Sequence, residues 1–322
     1  MNLYPLKFHP ILKERLWGGT KLKYVLGKPI HSDITGESWE LSGVAGDVSH
    51  VANGELAGTS LQDLIQKYPE ALLGKAVIDR FGSEFPILVK FIDAKQDLSI
   101  QLHPNDELSQ KRHNSKGKTE MWYVMDAAPD AELIIGFNRQ ISRDEYVQSI
   151  KEDSLLSLMN YEKVKEGDTF FINTGKIHAI GAGILLAEIQ QTSDITYRIF
   201  DFNRKDKDGN FRELHTELAL DAIDYEKKDD FKVAYSRNRD SINPMVYCPY
   251  FKTDYLNLTR SMEVDITDRN TFSIYICVDG SALINNGFGE AALQKGETIL
   301  VPAHSQELHI ITTNAKLLEV TI

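Results

Sequence analysis

Gly167-Asp168-Thr169-Phe170-Phe171-Ile172-Asn173-Thr174-Gly175-Lys176-Ile177-His178 is the stretch on which the reading of the chain turns. A glycine turn leads into the short β-prone run Thr169 to Ile172, and a second glycine turn delivers a histidine. Farther along, Gly296-Glu297-Thr298-Ile299-Leu300-Val301-Pro302-Ala303-His304 repeats the glycine, acid, threonine, apolar run, turn and histidine. Two β-barrel units of related design predict such an echo, against the alternative of two hairpins alike by chance. Phe85 to Ile92, Met121 to Met125 and Phe272 to Val278 also read as strands, several too continuously apolar to have one wet face. Helical patterns are fewer. Ser60 caps one through Tyr68, Ser142 opens another with Tyr146, Val147 and Ile150 on one face, and a third lies around Glu213 to Ile223. After about Asn243 the signals are almost purely strand and turn, and the polar run between Lys227 and Asn243 serves as a soft boundary. The fold class expected is mainly β with some α, in jelly-roll-like barrels: one unit over 1–240 with inserted helices, and a second over 241–322 to which N-terminal strands contribute.

At 322 residues the chain has room for two domains or two cores. With 42% of residues hydrophobic and 26% charged, it falls in the ordinary globular range. Lys plus Arg number 36 against 47 Asp plus Glu, and the resulting −11 argues against a nucleic-acid-binding surface. An anionic ligand would need a local basic pocket. Cys248 and Cys277 are the two cysteines, too few for a disulfide framework, so a reducing cytoplasm is the default expectation. Lys7, His9, Lys13, Glu14 and Arg15 interrupt any secretory h-region, and apolar runs such as Ile184 to Ala187 fall far short of the roughly 20 residues of a membrane span. A soluble protein is expected, as a monomer or weak homo-oligomer.

Gln101-Leu102-His103-Pro104 follows the strand-like Asp97 to Ile100, so Gln101 and His103 point to one face of an extended chain. Glu120 begins the apolar stretch Met121 to Met125, and His178 comes off the Gly175 turn. An amide oxygen, two imidazoles and a carboxylate form a hard-to-borderline donor set that suits Zn²⁺ with an open position, and iron or manganese also fit it. Any single one of the nine histidines is more commonly an ordinary polar residue; the joint pattern is what points to a metal.

That pattern resembles the cupin superfamily: Gly167, Gly175 and His178 keep the spacing of its second motif, with Asn173 where proline is usual. The departures from it resemble one cupin family, the type I mannose-6-phosphate isomerases, in their short bacterial form. The matching segments are Phe91 to Pro104, Gly117 to Tyr123, Ile177 to Gly181 and Glu188 to Arg198, with weaker agreement at Trp17-Gly18-Gly19 and Glu37-Ser38-Trp39-Glu40. The resemblance implies two cupin-type barrels, the first catalytic and the second degenerate. It also implies one zinc bound by Gln101, His103, Glu120 and His178, with Lys118, Asp194 and Arg198 as catalytic residues interconverting mannose 6-phosphate and fructose 6-phosphate through an enediol. Without it, Asp194 and Arg198 read as an ordinary ion pair on a strand. Gly117 and Thr119 stand where longer relatives have histidine and proline, so a proton-transfer role for that histidine does not carry over. Ser42, Lys90 and Lys118 are candidates for the phosphate.

A noncatalytic sugar-phosphate-binding cupin and a cupin metal oxidoreductase are the competing readings. Gly117-Lys118-Thr119 lacks the earlier glycine of a phosphate loop, Arg112 standing in its place, and Gly296 cuts off the helix that Gly287-Phe288-Gly289 would need as a dinucleotide fingerprint. Asn257-Leu258-Thr259 has no secretory context, and the cysteines read as small buried hydrophobes. His304 lacks visible partners near Tyr275 to Ile284, so the second barrel is expected to be structural and metal-free.

Overall fold

The computed structural model describes residues 2–206, 208–229, 231–266 and 268–322. Through the first two-thirds the strands are, in order, β1 (Ile11–Gly19), β2 (Thr35–Leu41), β3 (Ile87–Ala94), β4 (Ile100–Leu102), β5 (Glu120–Ala127), β6 (Glu132–Phe137), β7 (Met159–Lys163), β8 (Thr169–Ile172), β9 (His178–Ile180), β10 (Ile184–Gln191) and β11 (Tyr197–Phe200). The last third adds β12 (Ile242–Tyr247), β13 (Lys252–Leu258), β14 (Met262–Glu263), β15 (Ser273–Asn285), β16 (Glu290–Gln294), β17 (Thr298–Val301) and β18 (His309–Thr321). They form three sheets: β1-β2-β3-β10-β5-β8, β11-β4-β9-β6-β7, and β12-β13-β18-β15-β16 with β14 and β17 attached. The architecture is mainly β, as expected.

The first two sheets pack face to face. Ile92, Trp122, Val124, Phe170 and Leu186 of one meet Leu133, Ile135 and Ile180 of the other in a common core. The opposite face of the six-stranded sheet, with Val89, Phe91, Met121, Tyr123 and Ile189, packs on Ile274, Ile276, Leu318 and Val320 of the C-terminal sheet. Covered on both sides, β3 and β10 are buried at every position. This is why their sequences run apolar without the alternation of a one-sided strand. The central strands of the C-terminal sheet are covered on both faces too: Tyr275, Cys277 and Leu317 face a separate core with Leu256 and Ile299.

The paired echo is structural at its first residue. Gly167 and Gly296 both take φ +82°, a conformation that lets the chain turn into β8 and β17 and that a side chain would resist. The two histidines then part company. His304 Nε2 accepts from the Leu3 amide at 3.2 Å, its Nδ1 donates to the Ala71 carbonyl at 3.1 Å, and its ring stacks on Phe288 at 4.9 Å. Beside it, Leu6 exchanges two backbone hydrogen bonds with Leu300, at 2.8 and 2.9 Å, so the N-terminal segment lies on the C-terminal sheet. Cys277 is fully buried and Cys248 half-buried. Among the described residues no helix is long and apolar enough to cross a membrane.

Ser60 caps Leu61–Lys67 by accepting from the Asp63 amide, and Ser142 forms a capping box with Glu145 at the head of Arg143–Lys151. The third expected helix shrinks to Thr216–Ala219. Asp97 to Ser99 is irregular, and the strand expected there begins at Ile100. Asn243 lies inside β12 rather than before it. The excursion after Pro104 holds a helix the hydrophobic pattern does not show, Asp106–His113, because Leu108 is its one large apolar residue. Its ends carry the signal instead. Asn105 accepts from the Leu108 amide, acids fill the first turn, bases the last, and Asn114 closes it at φ +49°.

Two expectations follow from these contacts. His304→Ala removes both hydrogen bonds and should cost about 1–2 kcal/mol in urea unfolding, as pairs of modest net hydrogen bonds do. Asp201, past β11, accepts from Arg204 at 2.6 Å and from the Arg212 Nε at 2.7 Å. Burial would raise its carboxyl, but Arg212 and Arg204 outweigh that and hold it below the usual carboxylate range. A depressed carboxyl contributes stability that is complete above the unfolded value of about 3.9 and is lost as pH falls through the folded one. Asp201→Asn should therefore be less stable than the parent at pH 7, with the gap narrowing below pH 4 in the same urea titration.

Candidate metal centre and pocket

Register places the pocket. Gln101 on β4 pairs across to His178 on β9 and to Arg198 on β11. On the facing sheet Glu188 stands opposite both Lys90 and Trp122, and Glu120 opens β5 beside Gln190. Between the two sheets lies a cavity of about 580 Å³.

His103, Glu120 and His178 are almost fully buried, and one nitrogen or oxygen of each lies within 4.8 Å of the others. Among the described residues this is the one such group of three. His103 Nε2 is 3.4 Å from Glu120 Oε2, and His178 Nε2 is 3.5 Å from Oε1. The far sides of both rings are anchored to backbone carbonyls, His103 Nδ1 to Ile195 O and His178 Nδ1 to Lys176 O, each at 2.9 Å. A carbonyl only accepts, so the proton sits on Nδ1 and the Nε2 lone pairs face each other across Glu120. Glu120 Oε1 and His178 Nε2 are buried without a hydrogen-bond partner. Orphaned polar atoms at such depth are costly unless a cation satisfies them. Trp122 meets the His178 ring edge-on at 5.3 Å and donates to Glu188 at 3.1 Å, fixing the wall beside it.

Lys118 is buried with its Nζ 3.1 Å from Glu120 Oε2 and 3.3 Å from His103 Nε2. Burial works against its charge, but Glu120, Glu188 and Asp194 outweigh that and raise the ammonium above the usual lysine value. Burial, then the Lys118 charge, pull His103 down to about 4 against the attraction of Glu120. Burial likewise lowers His178. For Glu120 burial pushes the other way, and Lys118 with the two imidazoles holds the carboxyl well below its ordinary value. In the absence of a cation the cluster is thus a carboxylate, an ammonium and two neutral imidazoles.

Of the residues expected to act, Gln101, Lys118, His178, Asp194 and Arg198 line the cavity, with His103 and Glu120 directly behind them. Arg198 is held from both sides, its Nε donating to Ser99 Oγ at 3.3 Å and its NH1 to the Glu213 carbonyl at 2.9 Å. Asp194 is exposed in the cavity wall and forms no salt bridge with Arg198, so the simple ion-pair reading does not describe them. Lys90 reaches the cavity but is paired with Glu188 at 3.1 Å. Ser42 does not: it is buried, its hydroxyl accepting from the Val44 amide. Sequence reasoning missed Arg15, Glu37 and Arg212 in the same wall. Arg15 grips Glu37 through Nε at 3.0 Å and NH2 at 2.9 Å, and Trp39 donates to the same carboxylate at 2.8 Å. The alternation of Glu37 and Trp39 along β2 was the available signal, since it puts both on one face.

Residues 6–137 match the family model for the phosphomannose isomerase type I catalytic domain, and residues 241–321 that for the mannose-6-phosphate isomerase cupin domain. The chain is 36% identical over 305 residues to the mannose-6-phosphate isomerase ManA of Bacillus subtilis, covering 94% of each. It is 34% identical over 299 residues to the mannose-6-phosphate isomerase of Streptococcus mutans, covering 92% of each. The crystal structure of the mannose 6-phosphate isomerase from Bacillus subtilis matches it with a TM-score of 0.89 at 31% identity, over 99% of this chain and 100% of that one. On this agreement in sequence and fold along nearly its whole length, the chain belongs to the type I phosphomannose isomerase family.

Proposed function

We propose that the chain interconverts mannose 6-phosphate and fructose 6-phosphate as a zinc-dependent aldose–ketose isomerase working through an enediol. The observation that carries this is the buried His103, Glu120 and His178 cluster, with Lys118 against it, opening onto a cavity of sugar-phosphate size in a member of this family. Its donors fit a divalent cation: two imidazole nitrogens aimed by their backbone anchors, a carboxylate whose Oε1 has no hydrogen-bond partner, and the Gln101 amide one strand away. When bound there, zinc supplies Lewis-acid polarisation of a sugar oxygen at C1 or C2.

The remaining chemistry belongs to side chains. Glu120 is the first of the carboxylates holding the Lys118 ammonium protonated; with its charge engaged as a metal ligand, Lys118 would be able to give and take the proton between C1 and C2. Asp194, open to the same cavity, shares or orients that transfer. Arg198, fixed by Ser99 and Glu213, offers its fork to an anionic oxygen of the enediolate or the phosphate. Trp17 and Trp122 in the walls limit water around the reacting carbons. We further read residues 1–240 as the catalytic cupin barrel and 241–322 as a degenerate cupin-like barrel completed by the N-terminal segment.

The test is isomerisation of mannose 6-phosphate by the purified protein with metals measured on the same sample. Turnover with about one zinc per chain, the stoichiometry of a single four-ligand site, is the expected result. Tight metal and sugar binding without turnover would favour a sensor, and iron with oxygen consumption an oxidoreductase. Glu120→Ala should lose most of the metal and the activity while keeping the far-ultraviolet dichroism of the parent. Full occupancy in that variant would remove Glu120 from the ligand set. Lys118→Met should keep the metal and lower kcat by about 10²–10⁴-fold, the range for a positioned acid–base group.

A further inference from the structure

Lys118 sits in a segment, residues 116–119, that has no regular secondary structure of its own. A proton carrier displaced by even about 1 Å can cost 10²-fold in rate, so something outside the segment has to hold it. Three residues flanking the lysine, Lys116, Gly117 and Thr119, are gripped. Ser193 Oγ donates to the Lys116 carbonyl at 2.8 Å, the Gly117 amide donates to Asp106 Oδ1 at 2.8 Å, and the Thr119 amide donates to Gln191 Oε1 at 2.8 Å. Gln191 Nε2 donates to the same Asp106 Oδ1 at 3.1 Å, joining the grips on Gly117 and Thr119, and the Tyr250 hydroxyl donates to Oδ2 at 2.6 Å. One carboxylate therefore links the segment bearing Lys118, the end of β10, and the turn between β12 and β13.

The packing is equally close. A Cβ on Gly117 would lie 2.8 Å from the Asp106 nitrogen and 2.9 Å from the Asn105 carbonyl carbon, so the start of the helix Asp106–His113 leaves no room for a side chain. An acid in the first turn of a helix ordinarily does no more than complement the helix dipole, a role that Glu107 also fills. Asp106 instead turns both oxygens away, onto neighbours outside the helix.

We propose that Asp106 is a positioning residue for Lys118, and that Tyr250 ties the C-terminal third of the chain into the same device. The inference rests on Lys118 being the proton carrier named above. The test compares Asp106→Ala, Asp106→Asn, Gly117→Ala and Tyr250→Phe in the full-length, metal-loaded protein. Three quantities are read: kcat and KM for mannose 6-phosphate, bound metal, and the rate at which acetic anhydride labels Lys118, followed by mass spectrometry. Asp106→Ala and Gly117→Ala should lower kcat about tenfold or more, as misplacement of a reacting group does, with KM within about threefold and metal retained. Both should label faster at Lys118. Asp106→Asn keeps an oxygen for Gly117 and Gln191 and should recover most of the rate; Tyr250→Phe should fall between. Unchanged labelling and kcat in Asp106→Ala overturn the proposal, as does an Asp106→Asn as impaired as the alanine variant. Should Asp106→Ala fail to fold, Gly117→Ala and Tyr250→Phe decide by the same readings. A parent protein that does not isomerise overturns the functional reading instead, and labelling of Lys118 alone then decides whether Asp106 holds it.

Discussion

Glu120 puts a carboxylate where no water reaches it. A charge in that position survives only if something of opposite sign or strong donor character stands against it. Lys118 does so from two residues away along the chain, and the two imidazoles complete the enclosure. The rest of the site follows from this requirement. The histidines must present Nε2, which requires carbonyls behind their Nδ1 atoms, and those carbonyls belong to Ile195 and Lys176, in the segments that lead into β11 and β9. A pocket of this polarity can therefore be assembled only where both sheets are already in register.

The surrounding sheet carries a second buried pair at the same level. Lys90 and Glu188 are directly opposed on β3 and β10, with Trp122 next in the row on β5. Pairing inside the sheet, rather than between loops, fixes the positions of these charges by backbone hydrogen bonds as well as by their own attraction. Glu188 takes Lys90 on Oε2 and the Trp122 indole on Oε1, and the residue lines the cavity. The wall is thus polar yet rigid, suited to a ligand that is itself densely hydroxylated.

Much of this was legible in the sequence, for identifiable reasons. Thr169 to Ile172 is a strand at those bounds because glycine turns mark both ends, and Phe85 to Ile92 reads as two-sided because Lys90 is the one charged residue in it. The family resemblance brought Gln101, Lys118, Asp194 and Arg198 together although 97 positions separate the first from the last. Composition could not show the helix Asp106–His113, which has no apolar stripe and is held by its caps and by contacts to distant residues. Arg15, Glu37 and Arg212 were hidden for a related reason: their place in the pocket depends on which strands neighbour one another, and register is a property of the folded sheet. His304 shows the converse. Its local sequence copies that of His178, and the partners that distinguish them, Leu3 and Ala71, lie far away in the chain.

The pairing of Leu6 with Leu300 bears on how the protein is made. Leu6 has its hydrogen-bonding partner 294 residues later in the chain, and the core shared by the six-stranded and C-terminal sheets draws on early and late segments as well. At about 5–20 residues per second of synthesis, the N-terminal segment waits on the order of 15–60 s before Leu300 exists. Until then Leu3, Leu6 and Phe8 have no native cover from that sheet, and the outer face of β3, β5 and β10 stays open. The fold closes only once the C-terminal sheet has been made, and the nascent chain passes through a period in which a holdase chaperone would find an apolar surface to bind.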